Sequence, residues 1–219
     1  MTPRERRRLT KLHLYERSAW ESGAQMVCGV DEVGRGPLAG PVTACAVVLT
    51  KPLLLEFLND SKLVTPIRRA ALAAQIRAGA AFFAIGWAGP EEIDAINILG
   101  ATRLAMARAL AQLPFPPCRV LVDAVHIPQC AAPQTAIIGG DGKSAAIAAA
   151  SIVAKVARDE YMEMLDETHP GYGFSHNRGY GTEEHLAALD RLGPCSAHRR
   201  SFAPVMQPTL FAFADGGSP

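Results

Sequence analysis

The chain has 219 residues, a hydrophobic fraction of 49% and a formal net charge of +1. That length can bury a substantial core, which favours one domain with small appendages. The near-neutral balance excludes a wholesale polybasic binder. The five cysteines, at 28, 45, 118, 130 and 195, lack the spacing of a zinc site or disulfide scaffold.

Residues 4–21 are expected to form a helix with Leu9, Leu12 and Tyr15 on its apolar side, within a basic extension spanning 1–24. Its first twenty residues carry Arg4, Arg6, Arg7, Arg8, Lys11 and Arg17 against only Glu5 and Glu16. Strands are expected at 26–30, 42–49 and 81–88, with an alanine-rich helix over 68–78. A second helix spans 91–113 and is stopped by Pro114-Phe115-Pro116-Pro117. Short strands follow at 119–123 and 135–138. A long helix runs from 144 to about 168, its early alanines permitting close approach to a sheet. Residues 169–182 are too rich in glycine and aromatics to read as helical. A short helix at 183–192 precedes a loosely attached tail, with the domain boundary placed at 205. No apolar run approaches the roughly 18 residues of a membrane span, and no apolar segment follows the basic N-terminus as in a signal peptide. With its unpaired cysteines, the chain is expected to be cytoplasmic. The alternation of strands and helices is α/β, and carboxylates fall repeatedly at strand C-termini, where ligand sites of open α/β sheets gather.

The most informative stretch is Gly29-Val30-Asp31-Glu32-Val33-Gly34-Arg35-Gly36-Pro37-Leu38-Ala39-Gly40-Pro41. Adjacent carboxylates repel, so a fold that holds them there is expected to supply a cation. Gly34 to Ala39 fits a dinucleotide fingerprint formally, but Pro41 and a β-branched run follow it where that fold needs a helix. Gly142-Lys143-Ser144 opens a helix as a P-loop does, yet Ile137 stands where that motif needs glycine. The amides of 142–145 nevertheless form a candidate phosphate seat. Asp123 ends a strand. Asp159 lies four residues after Lys155, the spacing of an ordinary helical ion pair, and Glu160 and Glu163 sit on the same helix. Residue physics alone does not choose among these three. The histidines are dispersed and no nucleophile elbow is present, so oxygen ligation of Mg²⁺ or Mn²⁺ is the favoured metal chemistry.

Together these segments resemble the type 2 ribonuclease H family, of bacterial type. The resemblance rests on Asp31–Pro41, Asn59-Asp60-Ser61-Lys62, Leu121-Val122-Asp123, Gly142-Lys143-Ser144 with residues 148–159, and His169–Thr182 with His198-Arg199-Arg200-Ser201-Phe202. It covers roughly residues 25–205 and implies a ribonuclease H-like fold, a five-stranded mixed sheet flanked by helices. It also implies a nuclease that cuts RNA in RNA–DNA hybrids and incises 5′ to single ribonucleotides in duplex DNA, leaving 3′-hydroxyl and 5′-phosphate ends. The family's catalytic and metal-holding tetrad carries over to Asp31, Glu32, Asp123 and Asp159. The resemblance thereby selects Asp159 from the three helix carboxylates, with two Mg²⁺ or Mn²⁺ ions as cofactors. By the same resemblance Gly34, Arg35 and Gly36 sense the ribose 2′-hydroxyl and Tyr180 packs against the neighbouring deoxy sugar. Lys62, Lys143, Ser144 and Arg199 are the implied phosphate contacts. Leu63, Ala124 and the Asn177-Arg178 pair depart from the family's usual residues. Gln207-x-x-Leu210-Phe211 resembles a sliding-clamp peptide, and a monomer is expected. A ribonuclease HIII-like nuclease is the nearest alternative, and a non-enzymatic nucleic-acid binder the alternative from another class.

Overall fold

The computed structural model describes residues 1–206. In chain order these form α1 (Pro3–Leu12), α2 (Leu14–Glu21), β1 (Val27–Val33), β2 (Val42–Leu49), α3 (Pro66–Gly79) and β3 (Phe82–Ala88). There follow α4 (Pro90–Ala111), β4 (Arg119–Asp123), β5 (Gln134–Ile137), α5 (Ala145–Thr168), α6 (Phe174–Asn177), α7 (Glu183–Leu192) and α8 (Ala203–Met206). Short 3₁₀ turns occupy Ser61–Leu63 and Gly140–Gly142. The strands make one mixed sheet in the order β3-β2-β1-β4-β5. β1 pairs antiparallel with β2 and parallel with β4, and β5 continues the parallel side. A five-stranded mixed sheet with flanking helices is the architecture expected from the sequence.

Alternation along the strands separates two cores. Cys45, Val47 and Leu49 of β2 pack on one face with Ala146, Ala149, Ile152 and Val153 of α5, and with α1 and α3. Val42, Ala44, Ala46 and Val48 pack on the other with Ala101, Ala105, Met106 and Ala109 of α4. The alanines of α5 allow it to sit directly on β1. A Cβ at Gly29 would lie 2.1 Å from the Ala146 carbonyl carbon. Since backbone cannot yield there, even a methyl would cost about 1–3 kcal/mol or more through overpacking. This close approach fixes the height of α5 over the strand that carries Asp31.

Several boundaries differ from expectation for identifiable reasons. β1 does not stop at Val30 but continues through Val33, so Asp31 and Glu32 lie within a strand and alternate across it. The first helix divides at buried His13, whose Nδ1 donates to the Leu9 carbonyl at 2.7 Å while Nε2 accepts from the Leu53 amide at 2.9 Å. α4 is interrupted at Asn97, φ +59°, where the side-chain oxygen accepts from the Leu99 and Gly100 amides and restarts the helix. The glycine-rich stretch after α5 contains the single turn α6.

The N-terminal helices are packed in. Leu9 and Leu12 belong to the α5-side core, and Glu16 is fully buried. One Glu16 carboxylate oxygen accepts from the Ser144 hydroxyl and, at 2.8 Å, from the Ala146 amide. The anion at the N-terminus of α5 is therefore the protein's own carboxylate, which complements the unpaired amides and helix dipole there. Among the described residues no helix is long and apolar enough to cross a membrane.

Candidate active site

The C-terminal ends of the parallel strands bring the acidic residues together. Val30 of β1 lies opposite Val122 of β4, and the next residue on each strand is a carboxylate, Asp31 and Asp123. Asp123 accepts from the Gly140 amide at 2.7 Å, which draws the Gly140–Gly142 turn, and with it Asp141, to the same edge. The cleft formed there has a volume of about 260 Å³. It is lined by acidic Asp31, Glu32, Asp123 and Asp141, by the turn Gly34-Arg35-Gly36, by Ser61, Lys62, Ser151 and Lys155, and by Tyr180.

Electrostatics in the cleft are unfavourable without a cation. Asp31 is only 4% exposed. Burial, followed by the Glu32 charge, pushes its carboxyl well above the usual range, partly offset by a hydrogen bond from Ser151. The Ser151 and Ser61 hydroxyls are in turn hydrogen-bonded to each other at 2.9 Å, linking α5, the Ser61–Leu63 turn and Asp31. Glu32 is raised by burial, with Arg35 acting in opposition and Asp123 adding repulsion. Arg35 lies 3.4 Å from one Glu32 oxygen, while the other, Oε2, is buried without a hydrogen-bond partner. Asp141 is raised by burial and then by Asp60 and Asp123. An orphaned buried carboxylate oxygen among mutually repelling carboxylates fits a hard divalent cation. Among the described residues, no three His, Cys, Asp or Glu side chains already form a closed metal-holding group. The four acids line an open cleft.

Asp159, which the resemblance puts in the tetrad, is placed elsewhere. It does not line the cleft. Its carboxylate pairs with Lys155 one turn earlier, lies 3.5 Å from Arg69 and 3.9 Å from Arg178, and is thereby occupied by three cations. This is the helical ion pair that the four-residue spacing allowed. Lys155 is the cleft residue this pair positions, and burial lowers its ammonium despite Asp159. Asp141 is a cleft acid that the sequence expectation does not include. Its signal was available in the two glycines flanking it, which mark a tight turn directly after a strand.

The implied substrate contacts also separate. Lys62 lines the cleft, and so does Tyr180, which is 46% exposed and close enough to Gly36 that a Cβ there would meet its ring at 3.6 Å. Lys143 instead donates to the Ile138 carbonyl and borders a neighbouring groove with Arg8, Lys11 and Tyr15. Ser144 is fully buried as the N-cap of α5, accepting from the Ile147 amide, so it is no phosphate contact. The amides of Gly142, Lys143 and Ser144 in the expected phosphate seat donate to the Gly139 and Gly140 carbonyls, and Glu16 takes the Ser144 hydroxyl and the Ala146 amide just beyond. Arg199 is also fully buried and donates to the carbonyls of Gly34, Arg35 and Gly40. It supports the turn from behind and does not face the cleft. Ala124, where the family commonly has glycine, adopts φ +51°.

A five-stranded mixed sheet flanked by helices, with carboxylates gathered at the ends of its parallel strands, places the chain in the ribonuclease H-like fold class. The family model for ribonuclease HII matches residues 28–205. The ribonuclease HII of Moorella thermoacetica is 53% identical over 198 residues, covering 90% of this chain and 96% of that protein. That of Parvibaculum lavamentivorans is 57% identical over 183 residues, covering 83% and 68%. Among solved structures, the PCNA:RNase HII complex from Archaeoglobus fulgidus contains a chain 26% identical, with a TM-score of 0.70 over 81% of this chain and 95% of that one. A Bst-RNase HIII in complex with Mn²⁺ shares the fold at 17% identity and a TM-score of 0.62, covering 86% and 70%. The chain belongs to the ribonuclease HII family. It is a metal-dependent endoribonuclease that hydrolyses RNA in RNA–DNA hybrids and at ribonucleotides embedded in DNA.

The raised Asp31 carboxyl has a consequence for the metal-free protein. A group whose pKa is higher folded than unfolded binds more protons in the native state, so stability falls as pH rises from the unfolded value through the folded one. Asp31→Asn is therefore expected to raise the melting temperature of the protein in EDTA at pH 8. The gain should shrink or reverse in saturating Mg²⁺. A lower melting temperature for the variant in EDTA would contradict this reading of the cleft.

Proposed function

We propose that Asp31, Glu32, Asp123 and Asp141 together hold two divalent cations, Mg²⁺ or Mn²⁺, against the phosphodiester of a ribonucleotide. The observation that carries this is their convergence on one cleft, with Glu32 Oε2 buried and unpartnered. When bound, such an ion pair activates water on one side of the phosphorus and stabilises the leaving 3′-oxygen on the other. Asp31, the most buried of the four, would be held most firmly as a ligand. Ser151 holds its carboxylate from α5. Four carboxylates alone would repel a polyanion, so cations are needed for substrate approach as well as for chemistry. Beside Arg35 in the sugar-reading turn, Lys62 and Lys155 are the chain's own positive charges in the cleft and would meet non-bridging phosphate oxygens there.

Recognition is assigned to the opposite wall. Gly34-Arg35-Gly36 faces the ribose and Tyr180 packs on the adjoining deoxy sugar, so that incision falls 5′ to the ribonucleotide and leaves 3′-hydroxyl and 5′-phosphate ends. The proximity of Tyr180 to Gly36 supports one continuous sugar-reading wall. Residues 25–205 are read as the catalytic unit, with the 1–24 helices buttressing α5 through Glu16.

The choice between the two aspartates is testable on a duplex containing one ribonucleotide. Asp141→Asn is expected to lower kcat by at least about a hundredfold, the scale of losing a charge-stabilising group. Asp159→Asn should lower it less than about tenfold, since it loosens Lys155 without touching the ions. The reverse order would restore Asp159 to the metal site.

A sliding clamp is proposed as a second partner through Gln207-x-x-Leu210-Phe211, which lies outside the described residues. The archaeal relative solved as a PCNA complex supports the reading by analogy. Deletion of 207–219 is expected to abolish clamp pull-down while leaving cleavage of short duplexes unchanged. Clamp binding that survived the deletion would remove the proposal.

A further inference from the structure

Two guanidinium groups are fully buried beneath the segment that carries the sugar-reading turn, and neither has a carboxylate within hydrogen-bond reach. Their donors go to backbone carbonyls. Arg158 donates to Pro41 at 3.0 Å, to Ala39 at 3.1 Å and to Arg178 at 3.0 Å. Arg199 donates to Gly40 at 3.0 Å, to Arg35 at 3.0 Å and to Gly34 at 2.5 Å. The Arg199 amide adds a bond to Leu38 at 2.9 Å, and His198 pairs with Ala39 as an isolated β-bridge. The carbonyls of 34, 35 and 38–41 thus all turn inward. Gly34 is required by this packing, because at φ +89° its Cβ would lie 2.2 Å from Arg158 Nε.

The peptide plane converts these inward carbonyls into outward donors. In a trans peptide the C=O of one residue and the N–H of the next point in opposite directions. With the Gly34 and Arg35 carbonyls bound to Arg199, the Arg35 and Gly36 amides point away from it, toward the cleft that both residues line. Among the described residues neither amide donates to a protein group. Two adjacent unpartnered N–H groups form a small concave donor site for an oxygen.

We propose that Arg199 is a specificity-positioning residue, which holds the Gly34–Arg35 and Arg35–Gly36 peptides so that two amides are aimed at the ribose 2′-oxygen. It touches no substrate. The inference rests on the reading of Gly34-Arg35-Gly36 as the sugar sensor and adds how that sensor is held rigid. Lysine cannot replace it, since one ammonium on a flexible stem lacks the planar fork that spans three carbonyls. The ring of Phe202, 5.1 Å from the guanidinium, backs the group from the other side.

Binding in Ca²⁺, without turnover, tests this with two duplexes of one sequence, one containing a single ribonucleotide and one all DNA. Arg199→Lys is expected to lose roughly tenfold of the preference for the ribonucleotide, the size of one misaligned hydrogen bond. Affinity for the all-DNA duplex should stay within about twofold, because the phosphate contacts are untouched. Phe202→Leu, a milder change, should show the same pattern at smaller size. A merely structural role would weaken both duplexes together, and that result, or a retained preference in both variants, would overturn the proposal. The ¹⁵N–¹H signals of Arg35 and Gly36 in the wild-type protein separate the two readings. If they do not respond to the ribonucleotide duplex, the sugar sensor itself is misassigned. If they respond while Arg199→Lys keeps its preference, only the role of Arg199 falls.

Discussion

Repulsion between buried carboxylates is the constraint around which this fold is arranged. Asp31 is driven into the sheet edge by the continuation of β1 beyond Val30, with Glu32 next to it, Asp123 on the neighbouring strand and Asp141 on the following turn. Glu32 raises the proton affinity of Asp31, and Asp123 raises that of Asp31, Glu32 and Asp141. A protein that keeps such a cluster without neutralising it internally has left that task to an exogenous ion. Lys155 and Arg35 reduce the repulsion without cancelling it, so the cleft stays receptive to divalent cations and, through them, to phosphate.

The surrounding architecture places that charge accurately. Contact of Gly29 with the backbone of α5 sets Ser151 against Asp31 and brings Lys155 to the cleft one turn later. The N-terminus of α5 is capped by Ser144 and by Glu16 from α2, so the helix is anchored at the end nearest Asp141. Behind the opposite wall, Arg158 and Arg199 give the 34–41 segment the rigidity it lacks in regular secondary structure. Burial lowers both guanidinium groups, to about 10 and about 9, yet leaves them charged at neutral pH. Their carbonyl ligands use the guanidinium donors without the competing pull of a carboxylate.

Much of this was legible in the residues. β2, β4 and α7 have the expected bounds because β-branched runs and capping residues mark them locally. The end of β1 was not, because charged residues read as leaving a strand when tertiary pairing with Cys45 and Ala44 in fact continues it. Motif resemblance puts Asp159 in the tetrad, whereas its spacing from Lys155 describes the ion pair it makes in the structure. Asp141 does not stand out in the sequence because its neighbours resemble a phosphate loop. Only the hydrogen bond from Gly140 to Asp123, between residues 17 apart, brings it to the site. Arg199 and Ser144 read as exposed phosphate ligands because a sequence does not reveal which polar side chains are buried against backbone.

Anomalous diffraction from crystals grown with a ribonucleotide-containing duplex and Mn²⁺ most directly tests the placement of the metal site. Manganese peaks flanked by the carboxylates of Asp31, Glu32, Asp123 and Asp141 are expected, with Asp159 still paired to Lys155. Manganese coordinated by Asp159, with Asp141 turned away from it, would contradict the account.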